Sequence, residues 1–276
     1  MKPAAFDYAR AASAAEAVSM LAAMPGDARI LGGGQSLGPT LNLRLARPAR
    51  LIDIKRAGLR SIEGDARTLS IGAGWTHAAI EDGVVEDPAR GMMRHVAARI
   101  AYRAVRNRGT LGGSLAHADP AADWVSTMFA LGATMVLQGP RGTRRVAVED
   151  FIRGAFATAL AEDELLAAVE VPRLSAGARW GYYKITRKTG EFAKAIGAVI
   201  LDPGRGLARV VAGATGGAPV LLPTTAARVL AGQAEAAVTG LPEELASLLP
   251  QIDALSRQQH AVTVRRALDQ LTEARA

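Results

Sequence analysis

The sequence has no cysteine, which excludes disulfides, a thiol nucleophile and iron–sulfur ligation by this chain. Aromatic residues are scarce, at 4%, and there is no aromatic platform interleaved with basic residues on which nucleic-acid bases could stack. Arginine is scattered and no Lys/Arg run reaches five residues. The formal charge of +7 therefore reads as a general attraction for anions, not as a nucleic-acid surface. Long apolar runs are missing too. The longest uncharged stretch, Val210 to Ala227, is broken by Gly216, Gly217, Pro219 and Pro223, a poor membrane span. The start, Met1 to Asp7, lacks the apolar core of a secretory signal, and the expectation is a cytosolic protein. His77, His95, His117 and His260 show no metal-ligand spacing, so no metal site is expected, and no Ser-His-Asp grouping stands out.

What the chain does have is length, apolar content and glycine. With 276 residues, 49% of them hydrophobic, it can bury a sizeable core and divide into two domains. A short apolar run, Arg29 to Leu31, stops at Gly32-Gly33-Gly34 and restarts on Gln35-Ser36-Leu37. Residues without Cβ turn sharply and let an anion lie against main-chain N–H groups, which is how backbone binds phosphate. The spacing is not G-x-G-x-x-G, which disfavours a Rossmann unit. A second segment of the same chemistry, Thr110-Leu111-Gly112-Gly113-Ser114, leads into Ala116-His117-Ala118-Asp119-Pro120-Ala121-Ala122-Asp123. Two such segments far apart suggest one extended ligand carrying two phosphates. Asp119 and Asp123 suit either a helix cap or a hydroxyl acceptor in a nucleotide site.

Ser13 and Glu16 have capping-box spacing ahead of a helix that Pro25-Gly26 ends. Strands are expected at Ala28–Leu31, Leu51–Ile54 and Leu165–Val171, with antiparallel pairs at 61–73 and around Gly139-Pro140-Arg141-Gly142. Pro88 to Tyr102 reads as an amphipathic helix and Ala122 to Leu131 as another. Arg173 to Gly177 has linker composition. Beyond it come three strand-like runs, Trp180–Thr186, Ala195–Leu201 and Leu207–Ala214, then helical patterns at Thr224–Leu230, Pro242–Leu249 and His260–Ala276. The fold class is α+β.

Taken together, Gly32 to Leu37, Thr110 to Ser114 and Ala116 to Asp123 resemble the FAD-binding medium subunit of molybdenum hydroxylases, the family of xanthine dehydrogenase and aerobic carbon monoxide dehydrogenase. The similarity covers essentially the whole chain, including Phe6-Asp7-Tyr8 and Tyr183-Lys184-Ile185. It implies a PCMH-type FAD-binding domain over residues 1–172, with subdomains about 1–55 and 56–172. A C-terminal domain over 178–276 follows, a three-stranded antiparallel sheet with helices. It implies FAD on this chain, held by Gly32, Gly33, Gly34, Gln35 and Ser36 with Thr110, Leu111, Gly112, Gly113 and Ser114 around the pyrophosphate. Leu37 and Ile100 match positions beside the ring, and Asp123, Leu166 and Lys184 match positions that contact the flavin or its ribityl chain. Ser114 stands where many relatives have Asn, and Phe192 where some have Tyr. No side chain of this chain is expected to be catalytic. The implied function is electron transfer within a heterotrimer, the unit of a dimer of heterotrimers in such enzymes: 2Fe-2S clusters on a small subunit, the molybdopterin cofactor on a large one, and an external acceptor beyond. A stand-alone flavin oxidase or reductase of the same fold is the alternative reading.

Overall fold

Three sheets, built in chain order, set the architecture; the computed structural model describes residues 2–272. The first is parallel, with Arg50–Asp53 between Asp7–Arg10 and Ala28–Leu31. Helix Ala14–Ala22 crosses over it, and the Ser13 hydroxyl accepts from the Glu16 amide at 3.1 Å. The Glu16 carboxylate reaches back one residue further than a capping box requires and accepts from the Ala12 amide at 2.7 Å. The Ala28–Leu31 strand pairs Leu31 with Asp53 and there releases the chain into the three glycines.

The second sheet is antiparallel, in the order Ile62–Gly64, Thr68–Gly72, Leu165–Pro172, Thr134–Gly139, Gly142–Ala147. Its central strand slips register between Leu166 and Ala168, a bulge of the kind that re-aims side chains beside a site. The edge strand Gly142–Ala147 is exposed and carries arginines, with Arg144 paired to Glu164 and Arg145 to Glu170, which guards it against pairing with another chain. Helix Asp123–Leu131 is buried at every position and lies between the second and third sheets.

The third sheet is an antiparallel meander of Arg179–Ile185, Ala195–Asp202 and Leu207–Gly213, extended by a two-residue fourth strand, Val220–Leu221. All eight residues of Ala195–Asp202 are buried. Their alternation feeds two cores: Ile196, Ala198 and Ile200 join the large one shared with the second sheet, while Val199 and Leu201 join the one under the C-terminal helices. Helices Pro223–Leu230, Ala234–Leu248 and Ala254–Asp269 close that second core. Among the described residues no helix is long and apolar enough to cross a membrane.

Helix boundaries depart from expectation in three places. The Pro88–Tyr102 stretch is helical only over Met92–Ala97, because Gly91 enters at φ +86 and Ala101 leaves at φ +42. Pro242 lies inside Ala234–Leu248 instead of opening it. The last helix starts earlier than expected, at Ala254, and the expected residues 273–276 lie outside the described residues.

The last helix sits directly on sheet backbone. A Cβ at Gly181 would come within 1.8 Å of the Ala267 carbonyl oxygen, and one at Gly197 within 2.4 Å of that of Thr263. Gly181→Ala and Gly197→Ala are each expected to lift this helix and cost about 1–3 kcal/mol, read as a lower urea midpoint.

Candidate functional site

The two glycine segments meet. A Cβ on Gly33 would fall 2.1 Å from the Arg108 carbonyl oxygen and 2.6 Å from the Gly109 Cα, so main chain lies on main chain. The missing side chain at Gly33 thus serves closure between the segments, where the sequence suggested approach by a ligand. Gly34 makes the expected turn at φ +72.

The segments then divide the work unequally. The amides of Gly32, Gly33, Gly34, Gln35 and Ser36 donate to no protein acceptor among the described residues. The second segment is not an open loop but the first turn of helix Leu111–His117, capped by Thr110. Four of its five amides are already used. Leu111 donates to Trp75 O at 2.9 Å, Gly112 to Ala73 O at 2.9 Å, Gly113 to Thr110 Oγ1 at 3.0 Å and Ser114 to Thr110 O at 3.0 Å. Among the described residues the unspent main-chain donors therefore lie mostly on the first segment, and on the second only the Thr110 amide is without a protein acceptor.

Both segments border a cleft of about 830 Å³ that the first two sheets and the loop after strand Arg179–Ile185 help to enclose. Of the expected site residues, Gly32, Gly33, Gly34, Gln35, Ser36, Leu37, Ile100, Thr110, Gly112, Gly113, Ser114, Asp123 and Leu166 line it. Leu111 does not, because its side chain is wholly buried in the large core. Lys184 does not either; its ammonium is 2.6 Å from Asp123 Oδ1 and donates to Arg99 O at 3.0 Å. Asp123 is the first residue of its helix and not the cap, whereas Asp119 accepts from the Ala121 amide at 2.9 Å in the turn before it.

Three arrangements around the cleft were not expected from the sequence. Tyr182 donates to Asp123 Oδ1 at 2.5 Å; burial, with the carboxylate beside it, pushes its hydroxyl well above the ordinary phenol range, so it stays a donor. The only signal for it was strand alternation, which puts Tyr182 and Lys184 on one face. Arg106 donates to the carbonyls of Ile100 at 3.0 Å and Ala101 at 3.2 Å, and is itself held by both oxygens of Glu81. That grip holds Ala101, a cleft residue at positive φ, in a conformation that costs an alanine about 1–2 kcal/mol. At the mouth, Tyr102 donates to Thr189 O at 2.9 Å, and the exposed Phe192 completes the rim.

His77, expected to be structural or exposed, is buried yet touches the cleft, and its Nδ1 accepts from Trp124 Nε1 at 2.9 Å. Burial, with Arg106 nearby, pulls its pKa down to about 4 from 6.5. The unfolded chain then binds this proton more readily, so the stability contributed by neutral His77 is complete above about pH 6.5 and lost as pH falls toward about 4. Between about pH 7 and pH 5 the group is expected to remove about 2 kcal/mol of unfolding free energy. Urea titrations at the two pH values test this, and His77→Gln is expected to flatten the difference.

Comparison with known proteins places this site. Residues 4–174 match the FAD binding domain in molybdopterin dehydrogenase. The carbon monoxide dehydrogenase medium chain of Hydrogenophaga pseudoflava is 39% identical over 206 residues, 73% of this chain and 70% of that one. The caffeine dehydrogenase subunit beta of Pseudomonas sp. strain CBB1 is 37% identical over 203 residues, 73% and 69% of the two chains. Among solved structures, carbon monoxide dehydrogenase from H. pseudoflava lacking the Mo-pyranopterin moiety superposes with a TM-score of 0.90 at 32% identity, covering 98% of both chains. Quinoline 2-oxidoreductase from Pseudomonas putida 86 gives 0.88 at 34% identity, again over 98% of each. With unspent backbone donors on a glycine turn, a cleft roomy enough for a dinucleotide, and these likenesses over nearly its whole length, the chain belongs to the FAD-binding medium subunits of the molybdenum hydroxylases.

Proposed function

We propose that this chain is the electron-transfer subunit of a heterotrimeric molybdenum hydroxylase, working in the cytoplasm. Electrons come from the 2Fe-2S clusters of a small partner subunit, after substrate oxidation at the molybdopterin cofactor of a large one, and leave to an external acceptor. The absence of cysteine fits this division, since the clusters need another chain to ligate them. The trimers pair into a dimer of heterotrimers. Residues 1–172 form the FAD-binding domain, in two subdomains divided near residue 55, and 178–276 the C-terminal domain.

One observation carries the reading: five successive amides, Gly32 to Ser36, border the cleft without a protein acceptor. Successive amides that face a cleft with no protein acceptor are open to an anion, and a diphosphate supplies the oxygens for them. Gly32 to Ser36 would hold the pyrophosphate, Thr110, Gly112, Gly113 and Ser114 would back it, and Asp123 would accept from a hydroxyl of the ribityl chain. Leu37, Ile100 and Leu166 would keep water from the ring. Bound FAD supplies the redox chemistry, passing electrons between the partner's clusters and the acceptor. The residues of this chain bind, orient and exclude solvent; none need exchange a proton with substrate.

The purified chain is expected to be yellow and to release FAD on denaturation, and from its native host it should copurify with an iron–sulfur chain and a molybdenum chain. Isolation alone, with an oxidase activity of its own, would favour the stand-alone enzyme. Gly33→Val drives a side chain into the Arg108 carbonyl, and Gly113→Val into the Thr110 cap, 2.7 Å from the ideal Cβ. Each is expected to lower FAD content roughly tenfold or more, measured by absorbance after denaturation; normal flavin content in both would contradict the site.

A further inference from the structure

Strand Arg179–Ile185 presents alternate side chains to two cores. Tyr183 faces the C-terminal helices, where the Arg266 guanidinium lies 4.8 Å from its ring centroid. Trp180, Tyr182 and Lys184 face the other way, and each ends in a donor used across the boundary between sheets. Trp180 Nε1 donates to Arg90 O at 3.0 Å, while Tyr182 Oη and Lys184 Nζ converge on Asp123 Oδ1 at 2.5 and 2.6 Å. Both donors therefore fall on one carboxylate oxygen. Asp123 Oδ2 takes no donor among the described residues, and Asp123 lines the cleft.

Lys184 has a second attachment. Its ammonium also holds Arg99 O, and Arg106 holds the next two carbonyls, those of Ile100 and Ala101. Three consecutive carbonyls, the last two of them on cleft-lining residues, are thus clamped by two cations, and one of these is the cation fixed to Asp123. The side-chain exposures of Lys184 and Asp123, 13% and 10%, mean that water competes weakly for this pair.

We propose that Tyr182 and Lys184 are positioning residues for the flavin site. They act through Asp123 by occupying its Oδ1, which turns Oδ2 to the ligand, and Lys184 ties that carboxylate to the Arg99–Ala101 wall. The inference rests on the FAD reading of the cleft. It assigns to Lys184 a place behind the site instead of contact with the ring, and gives Tyr182 a role of its own.

A mutant cycle on the full chain tests it, with FAD affinity of the apo form measured by flavin fluorescence quenching. Tyr182→Phe removes one hydrogen bond to a charged acceptor and is expected to weaken FAD binding by about tenfold to a hundredfold. In an Asp123→Ala background the same change is expected to cost less than about twofold, because the residue through which it acts is gone. Lys184→Gln should weaken binding in the same background-dependent way. It should also lower the midpoint potential of the bound flavin, since Asp123 then carries an uncompensated negative charge beside it; Tyr182→Phe, which changes no charge, should leave the potential in place. Should Tyr182→Phe fail to fold, the Lys184→Gln cycle and its potential decide the matter. Wild-type affinity in both single variants, or equal losses with and without Asp123, would overturn the inference. A wild-type chain that takes up no FAD would instead overturn the reading beneath it.

Discussion

The cleft depends on one contact in which two backbones touch with nothing between them, Gly33 against Arg108 and Gly109. The first segment leaves a parallel strand and the second enters a short helix that packs on the second sheet. That contact brings the two together, and the Thr110 hydroxyl approaches beside it, 3.2 Å from an ideal Cβ at Gly32. Any side chain at Gly33 would have to displace a carbonyl oxygen, which belongs to a segment tied by its own hydrogen bonds to Val105 and His77. Because the constraint is steric and lies in main chain, neighbouring rotamers cannot relieve it.

From that contact follows an asymmetry in the donors. Helix Leu111–His117 is anchored by giving its first amides to Ala73, Trp75 and its own cap, so it is a rigid wall. The Gly32–Ser36 turn is anchored by its flanks: Leu31 O accepts from Ile54 at one end, and Gly34 O accepts from Gly38 at the other. The amides between are left for a guest. A turn that spent its donors internally would be more stable alone and closed to an anion; this one leaves its donors open to the cleft.

Both glycine segments, the 134–147 hairpin and helix Asp123–Leu131 could be read along the chain, because each is written in local chemistry: turn residues, alternation, a stop signal. The partnership of Lys184 with Asp123 could not, since the residues are 61 apart and meet only because sheet and helix pack as they do. The same reason hid the close approach of Gly33 to the backbone of Arg108 and Gly109, which lie in a different segment of the chain. Periodicity also misled where it was sound. Met92 and Val96 are buried at helical spacing as expected, yet the helix around them is one and a half turns long. Arg106 and Lys184 supply carbonyl partners where the chain leaves helical geometry at Ala101; Lys184 is 85 positions from Arg99, and nothing in the local pattern marks it as a partner.

The matched FAD domain ends at residue 174, but the cleft does not. Gly190, Glu191 and Phe192 border it from the loop between strands Arg179–Ile185 and Ala195–Asp202, and Tyr182 and Lys184 grip its acidic residue from behind. Strand Arg179–Ile185 can do this because its other face is fixed by the last helix, which rests on Gly181 backbone to backbone. Packing at the far side of the sheet thereby determines how firmly the donors at the near side are held. Among the described residues the C-terminal helices supply none of the cleft's lining, yet they serve it as the second sheet does: both are the rigid ground against which a few polar groups are aimed.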